Sequence, residues 1–473
     1  MDANSVLEIF KEITAIPRES GHEGPMTAYL QRFAAAHSLE CKTDETGNVL
    51  IVKEASKGKE NVPALVLQGH QDMVCEKKPG TVHDFARDPI DFVIEDGWMI
   101  AKDTTLGADD GIGVAACLAL LASDLETGRL ECLFTISEET GMDGAHALQD
   151  GFFTGKTLIN LDSEDEGQMF IGCAGGLNTI ATFDCGTEAV NDGWSVIRLS
   201  IGGALGGHSG DDINKGRVNT IQQMFRFLYC ETATGLQLIE ADGGNKVNAI
   251  ARDCTVVIAV PDAEATKARF MDFWSILKDE YHVTDPDIIA SSEDAEAGAA
   301  AGSDAAMRFI SAMYACPHGV QEMSQDIAGL VETSTNLGNV KMAGPGVFRV
   351  ATGQRSSTMS ERKMIADKVE AVMRLGGARV EQLYHYPGWK PDVNSHILQV
   401  CVDSYEKLFG QKPLVLAIHA GLECGLFLDK FPDLDMISFG PTLRGVHAPG
   451  EKLELASLDK FVKHLEDVVC NFR

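Results

Sequence analysis

The sequence predicts an α/β protein, a mostly parallel buried sheet with a second, α+β domain inserted into it. Three observations predict this. Up to Phe183, short apolar runs of strand length alternate with helical patterns, the signature of a sheet covered by helices. Near Phe183 the pattern becomes strand-rich, and from about residue 388 it returns to the first type. The chain has 473 residues, more than one hydrophobic core usually organises. The expected division is residues 1–183 for the first part of the catalytic domain, 184–387 for the insertion and 388–473 for the completing part. The insertion would lie on the first domain like a lid.

The elements follow in chain order. In "SVLEIFKEITAI", Val6, Leu7, Phe10 and Ile13 recur at helical spacing, and Pro17 stops the pattern. "EGPMTAYLQRFAAAHS" reads as a second helix, and "GNVLIVKE" and "PALVLQGH" read as strands. "DDGIGVAACLALLAS" reads as a buried helix, and "LECLFTIS" and "TLINLD" read as further strands. In the insertion, "GWSVIRLSIGGALGGHSG" opens a strand, "VNTIQQMFRFLYCETA" a helix, "NAIARDCTVVIAV" a strand and "ATKARFMDFWSILKDEY" a helix. The run "IIASSEDAEAGAAAGSDAA", rich in Ala, Ser and acids, is expected to be a mobile loop or a solvated helix start.

Composition excludes several classes. The net charge of -30 repels nucleic acid phosphates and anionic lipid, so neither is an expected partner. No apolar run reaches the ~18 residues a membrane span requires. The N-terminal segment carries acids among its apolar residues and lacks the basic start of a secretion signal. The 12 cysteines form no CxxC pair and sit inside apolar runs, which fits buried thiols in a reducing compartment. The expected location is cytoplasmic.

The candidate site is read from strand ends. In an open parallel sheet, ligands bind beyond the carboxyl ends of the strands. "ALVLQG" ends at His70, "LFTIS" at Glu138 and Glu139, and "LINL" at Asp162. "MISFGPTLRGV" leads to His447, and Asp109 and Asp110 precede the helix "GIGVAACLALLA". A lone acid or histidine at such a place is most often a cap. Two imidazoles and three carboxylates together form the nitrogen and oxygen set that suits zinc. Asp72 lies two residues from His70, on the same side of an extended chain, where it can accept the other imidazole N–H. Glu138 and Glu139, taken as extended, would face opposite ways, one toward metal and one toward water.

These segments together resemble the zinc-dependent family of aminoacylases, acetylornithine deacetylases, carboxypeptidases and dipeptidases, nearest its aminoacyl-histidine dipeptidase branch. The carriers include "LQGHQDMV", "TLGADDGIGVA", "SEETGMDGA", "LDSED", "GGALGGHSGDDI", "GGNKVNAIARD", "HAGLECGLF" and "SFGPTLRGVHAPGE". The resemblance implies a zinc-exopeptidase-like catalytic domain with two zinc ions, manganese or cobalt serving as alternatives. His70 and Asp162 would hold one ion, Glu139 and His447 the other, and Asp109 would bridge them. Glu138 would be the general base and Asp72 the group that orients His70. His208 would be brought over the scissile carbonyl, and Asn248 and Arg355 would hold the substrate carboxylate. His419 and Glu423 would contact a substrate end or shape the site. The sequence departs from the branch pattern at Asp110, Ala251 and Ala448, where Asn, Pro and Ser are expected.

The implied activity is hydrolysis of unblocked dipeptides, Xaa-His and others. Two alternatives stay open: an amidohydrolase acting on N-acyl amino acids, and a non-catalytic metal-binding homologue. A serine hydrolase is disfavoured because no GxSxG elbow surrounds the serine of "GGHSG". A dehydrogenase is disfavoured because "GADDGIG" lacks the full GxGxxG pattern. Whether His208 serves its own chain or a second copy in a homodimer is left open.

Overall fold

The structure, a computed structural model, describes residues 1–296 and 298–473. Contacts divide the chain into two compact units. The first comprises Met1–Gly172, Pro391–Ala417 and Leu422–Arg473; the second comprises Cys173–Lys390 and Ile418–Gly421.

The first unit is built on an eight-stranded sheet. Its centre is parallel: Leu130–Thr135, Leu65–His70, Thr157–Asn160 and Asp435–Ser438 lie side by side in that order. Leu65–His70 and Leu130–Thr135 are buried at every position, which explains why both read as continuous apolar runs rather than alternating ones. Toward one edge, Val49–Lys53 and Glu40–Thr43 add antiparallel strands, and Gln168–Cys173 meets Asp435–Ser438 antiparallel. The sheet is therefore more mixed than the apolar runs predict. The helix Ala108–Ala122 is apolar on all sides and almost wholly buried. Helix Ala3–Ile13 packs against it through Val6, Phe10 and Ile13. A smaller four-stranded antiparallel sheet joins Phe92–Glu95, Trp98–Ala101, Lys452–Glu454 and Leu443–Arg444.

The second unit carries a nine-stranded antiparallel sheet backed by helices Thr220–Glu231, Ala263–Glu280, Ser303–Ala315 and Met359–Leu375. Phe309 is the centre of an aromatic cluster, with ring centroids 4.7 Å from Phe183, 5.3 Å from Phe225 and 4.7 Å from Phe348. Strand Gly175–Asp184 pairs with Val347–Ser356 and Arg379–Tyr386, so the second sheet begins before Phe183, where the apolar pattern alone puts the change. The Ala, Ser and acid-rich run is neither loop nor helix start at its beginning. Ile289–Asp294 is an edge strand paired with Ser195–Gly202, and its polar composition reflects its exposure. Residue 297 of that run lies outside the described residues, and the helix it precedes starts at Ser303.

Candidate active site

Seven side chains singled out from the sequence meet at the carboxyl ends of the parallel strands in the first unit. His70 is the last residue of its strand and is fully buried. A Cβ on the preceding Gly69 would run into the Asp110 carboxylate, so this close approach requires glycine. His70 Nε2 lies 3.0 Å from Asp109 Oδ1 and 3.4 Å from Asp162 Oδ1. The other oxygen of Asp109 lies 3.0 Å from His447 Nε2, which is also 2.9 Å from Glu139 Oε1. Asp109 thus spans two imidazoles that are 377 positions apart in numbering, one carboxylate oxygen to each.

The third face of the site is organised by Asp72. It lies 3.3 Å from His70 Nδ1, accepts from Ser20 Oγ at 2.7 Å, and accepts the backbone N–H groups of Glu138 and Glu139 at 3.1 and 3.2 Å. Glu138 and Glu139 are not on extended chain. They open a single helical turn, Glu138–Gly141, after Ser137 in a left-handed conformation. Glu23 holds that turn by accepting the Ser137 N–H and hydroxyl at 2.9 and 2.8 Å. Asp72 and Glu23 therefore fix both glutamates by their backbone rather than by strand pleat.

The electrostatics separate these acids. Burial works against the charge of Asp72, yet the His70 imidazole, Ser20 and the Glu138 N–H pull its carboxyl down to about 2. Burial also works against the charge of the partly exposed Asp109, yet His447 and His70 hold it well below the ordinary range. Burial pushes Glu138 up to about 8, with Glu423, Glu139 and Asp109 adding like charge. Asp162 is raised by burial and by Asp109. His447 is raised to about 10 by Asp109 and Glu139. Three carboxylates converge on two imidazoles, and buried charges of one sign need pairing or a metal. Two donor triads, His70–Asp109–Asp162 and Asp109–Glu139–His447, each bring their ligand atoms within 4.8 Å of one another and share Asp109. That donor set fits a pair of divalent cations.

Glu423 begins the helix Glu423–Lys430 in the first unit and is buried. Its Oε2 accepts from Gln68 Nε2 at 2.7 Å and Thr135 Oγ1 at 3.0 Å. His419, four residues earlier, belongs to the second unit, where its Nε2 lies 2.7 Å from Ser334 Oγ. The motif "HAGLECG" is therefore split between the two units.

His208, Asn248 and Arg355 also lie in the second unit. His208 pairs through its backbone with Ala249, and its Nδ1 is 3.2 Å from Asp211 Oδ2. Asn248 and Arg355 line a cavity of about 320 Å³ together with Asn178, Ser209 and Tyr386. Arg355 Nη1 donates to the Tyr386 hydroxyl at 3.0 Å.

A family model described as peptidase family M20/M25/M40 matches residues 66–471. The chain belongs to this family. The M20 peptidase is 38% identical over 460 residues to the cytosol non-specific dipeptidase of Escherichia coli K12, covering 96% of this chain and 94% of that protein. Its structure is similar to that of aminoacylhistidine dipeptidase from Vibrio alginolyticus, with a TM-score of 0.93 and 39% identity over 99% of this chain and 96% of that one. Aminopeptidase PepT from Bacillus cereus shares the fold, with a TM-score of 0.59 and 16% identity over 99% of this chain and 98% of that one.

Sequence reasoning on the M20 peptidase missed the residues that brace the candidate ligands. Glu23, Ser20, Arg18 and Glu451 reach the site from loops, and Gln68 and Asn160 reach it from inside strands. The one available signal was a polar residue inside an apolar run, two places before a candidate ligand, as in Gln68–His70 and Asn160–Asp162.

Proposed function

We propose that the chain is a two-metal dipeptidase that hydrolyses unblocked dipeptides, Xaa-His and a broad range of Xaa-Xaa. The observation that carries the reading is the Asp109 carboxylate, which offers one oxygen toward His70 and the other toward His447. The 38% identity to a dipeptidase across nearly the whole chain supports the substrate class.

His70, Asp162 and Asp109 would hold one cation, and Asp109, Glu139 and His447 the other. We take both to be zinc, the ion that a mixed imidazole and carboxylate set favours, with manganese or cobalt as substitutes. Bound there, the pair would polarise the scissile carbonyl and make water acidic enough to lose a proton near neutral pH.

The remaining steps belong to side chains. Asp72, 3.3 Å from His70 Nδ1, would take its N–H and so turn Nε2 toward Asp109 and Asp162. Glu138 removes the proton of the attacking water and returns it to the leaving amine, work suited to a carboxyl whose pKa is raised toward neutrality. His208 would donate to the carbonyl oxygen as negative charge develops on it. Arg355 would hold the terminal carboxylate through parallel hydrogen bonds, assisted by Asn248. We assign His419 and Glu423 to support: His419 is tied to Ser334 in the second unit, and Glu423 to Gln68 and Thr135 beneath the ligands.

We read the setting as cytoplasmic. Most of the cysteines are buried, as small apolar side chains in a reducing compartment are. Among the described residues, no helix is long and apolar enough to cross a membrane.

The test is metal analysis of the purified protein with a panel of free dipeptides and their N-acetylated forms, before and after chelation. The reading predicts about two equivalents of metal, turnover of the free forms, loss on chelation and recovery with Zn²⁺. Turnover of the N-acetylated forms alone would make the chain an acylase instead.

A further inference from the structure

One buried carboxylate beside the site has no part in the chemistry above. Glu451 is 2% exposed and follows His447 by four residues. Its two oxygens accept from four consecutive backbone N–H groups: Leu106 at 2.8 Å and Gly107 at 3.0 Å on one, Ala108 at 2.8 Å and Asp109 at 3.4 Å on the other. Gly107, at φ 69°, precedes the kinked start of the helix Ala108–Ala122, where Asp109 and Asp110 depart from helical φ/ψ and Asp110 Oδ1 accepts the Gly113 N–H at 3.2 Å. From more than three hundred residues away, Glu451 therefore holds the non-helical loop that carries Asp109.

The same loop is held from its other side. Arg18, 1% exposed, donates to the Gly107 carbonyl, to the Asp72 carbonyl at 2.6 Å and to the Gln71 carbonyl at 3.2 Å. A buried acid and a buried base thus join three loops: the one after His70, the one before Asp109 and the one carrying His447. His447 itself is half exposed and has φ 61°, and its loop is tied to the Asp109 loop by the Gly450 N–H, which donates to the Thr104 carbonyl at 2.9 Å.

We propose that Glu451, backed by Arg18, is a positioning residue that sets the separation of Asp109 and His447, and through it the affinity of the Asp109–Glu139–His447 cation position. The proposal rests on the two-metal reading. Glu451 touches neither substrate nor cation; it acts through the backbone of the Asp109 loop.

Calorimetric titration of metal-free protein with buffered Zn²⁺ separates the two positions. Glu451→Gln keeps the shape of the side chain but turns an amide NH₂ toward backbone N–H groups. The expected result is a first equivalent bound much as in wild type and a second weakened by about 10–100-fold, the usual cost of losing a group that orients a ligand. Dipeptide turnover should then recover with excess Zn²⁺. If Glu451→Gln does not fold, Glu451→Asp, which keeps the charge and shortens the arm, is read the same way. Both equivalents binding as in wild type, or both weakened equally, would overturn the proposal. A wild-type protein taking up fewer than two equivalents would overturn the two-metal reading beneath it.

Discussion

Asp109 and Glu138 are both partly buried acids close to His70, and their surroundings drive them in opposite directions. Hydrogen bonds from His447 and His70 keep Asp109 ionised, whereas burial and neighbouring carboxylates push Glu138 up to about 8. The first is suited to hold cations and the second to move a proton. Replacing Glu138 with Gln should lower kcat by about 10²–10⁴-fold while metal content stays at its wild-type level, checked by steady-state kinetics beside metal analysis. Arg355→Ala should raise KM for free dipeptides by roughly 10–100-fold, the loss of a charge-assisted hydrogen bond, and leave C-terminal amides nearly unaffected. Equal effects on acid and amide substrates would exclude Arg355 as the carboxylate clamp. At this scale the ligand candidates were legible because acids and histidines directly after buried apolar strands stand out. Glu451 and Arg18 were not, because nothing local marks a carboxylate that holds a loop's backbone N–H groups from the far end of the chain.

Beneath the candidate ligands, the parallel strands are tied together by a buried polar chain. Glu423 accepts from Gln68, Gln68 accepts from Asn160 at 2.7 Å, Asn160 accepts from the Ser438 hydroxyl, and Ser438 meets Ser163 at 2.7 Å. All five residues are buried. Asn160→Leu would leave Gln68 Oε1 without its donor, while Ser438 keeps Ser163, with a cost of about 1–3 kcal/mol measurable by urea unfolding. In the second unit, Phe309→Ala would open a cavity among Phe183, Phe225 and Phe348 and should cost about 3–5 kcal/mol by the same measurement. Central strands were legible as unbroken apolar runs. Edge strands such as Ile289–Asp294 were not, since an exposed edge has the composition of a loop. The turn at Glu138 was misread as extended chain because its stability comes from Asp72 and Glu23, both distant in sequence.

Across the molecule, buried neutral histidines make stability depend on pH. Burial pulls His464 down to about 4, and burial with Arg355 nearby does the same to His419. His464 donates to the Cys401 carbonyl at 2.9 Å. Each folded-state value lies below the unfolded value near 6.5, so the unfolded chain binds the proton first as pH falls. Their contribution is full above about pH 6.5 and is lost progressively toward pH 4, up to roughly 3 kcal/mol apiece. Thermal melts of the metal-free protein should therefore fall across that window, and His464→Gln should flatten the slope. The alternation of helices and strands and the insertion of a second sheet were legible from pattern alone. The return of Ile418–Gly421 to the second unit was not, because it rests on backbone contacts such as Ala174 N–H to the Ile418 and Ala420 carbonyls. The central claim concerns cations shared through Asp109, and zinc-edge anomalous diffraction from crystals of the metal-loaded protein tests it most directly. Two peaks about 3.5–4 Å apart, one on each side of the Asp109 carboxylate, are predicted. A single peak, or peaks away from Asp109, would contradict it.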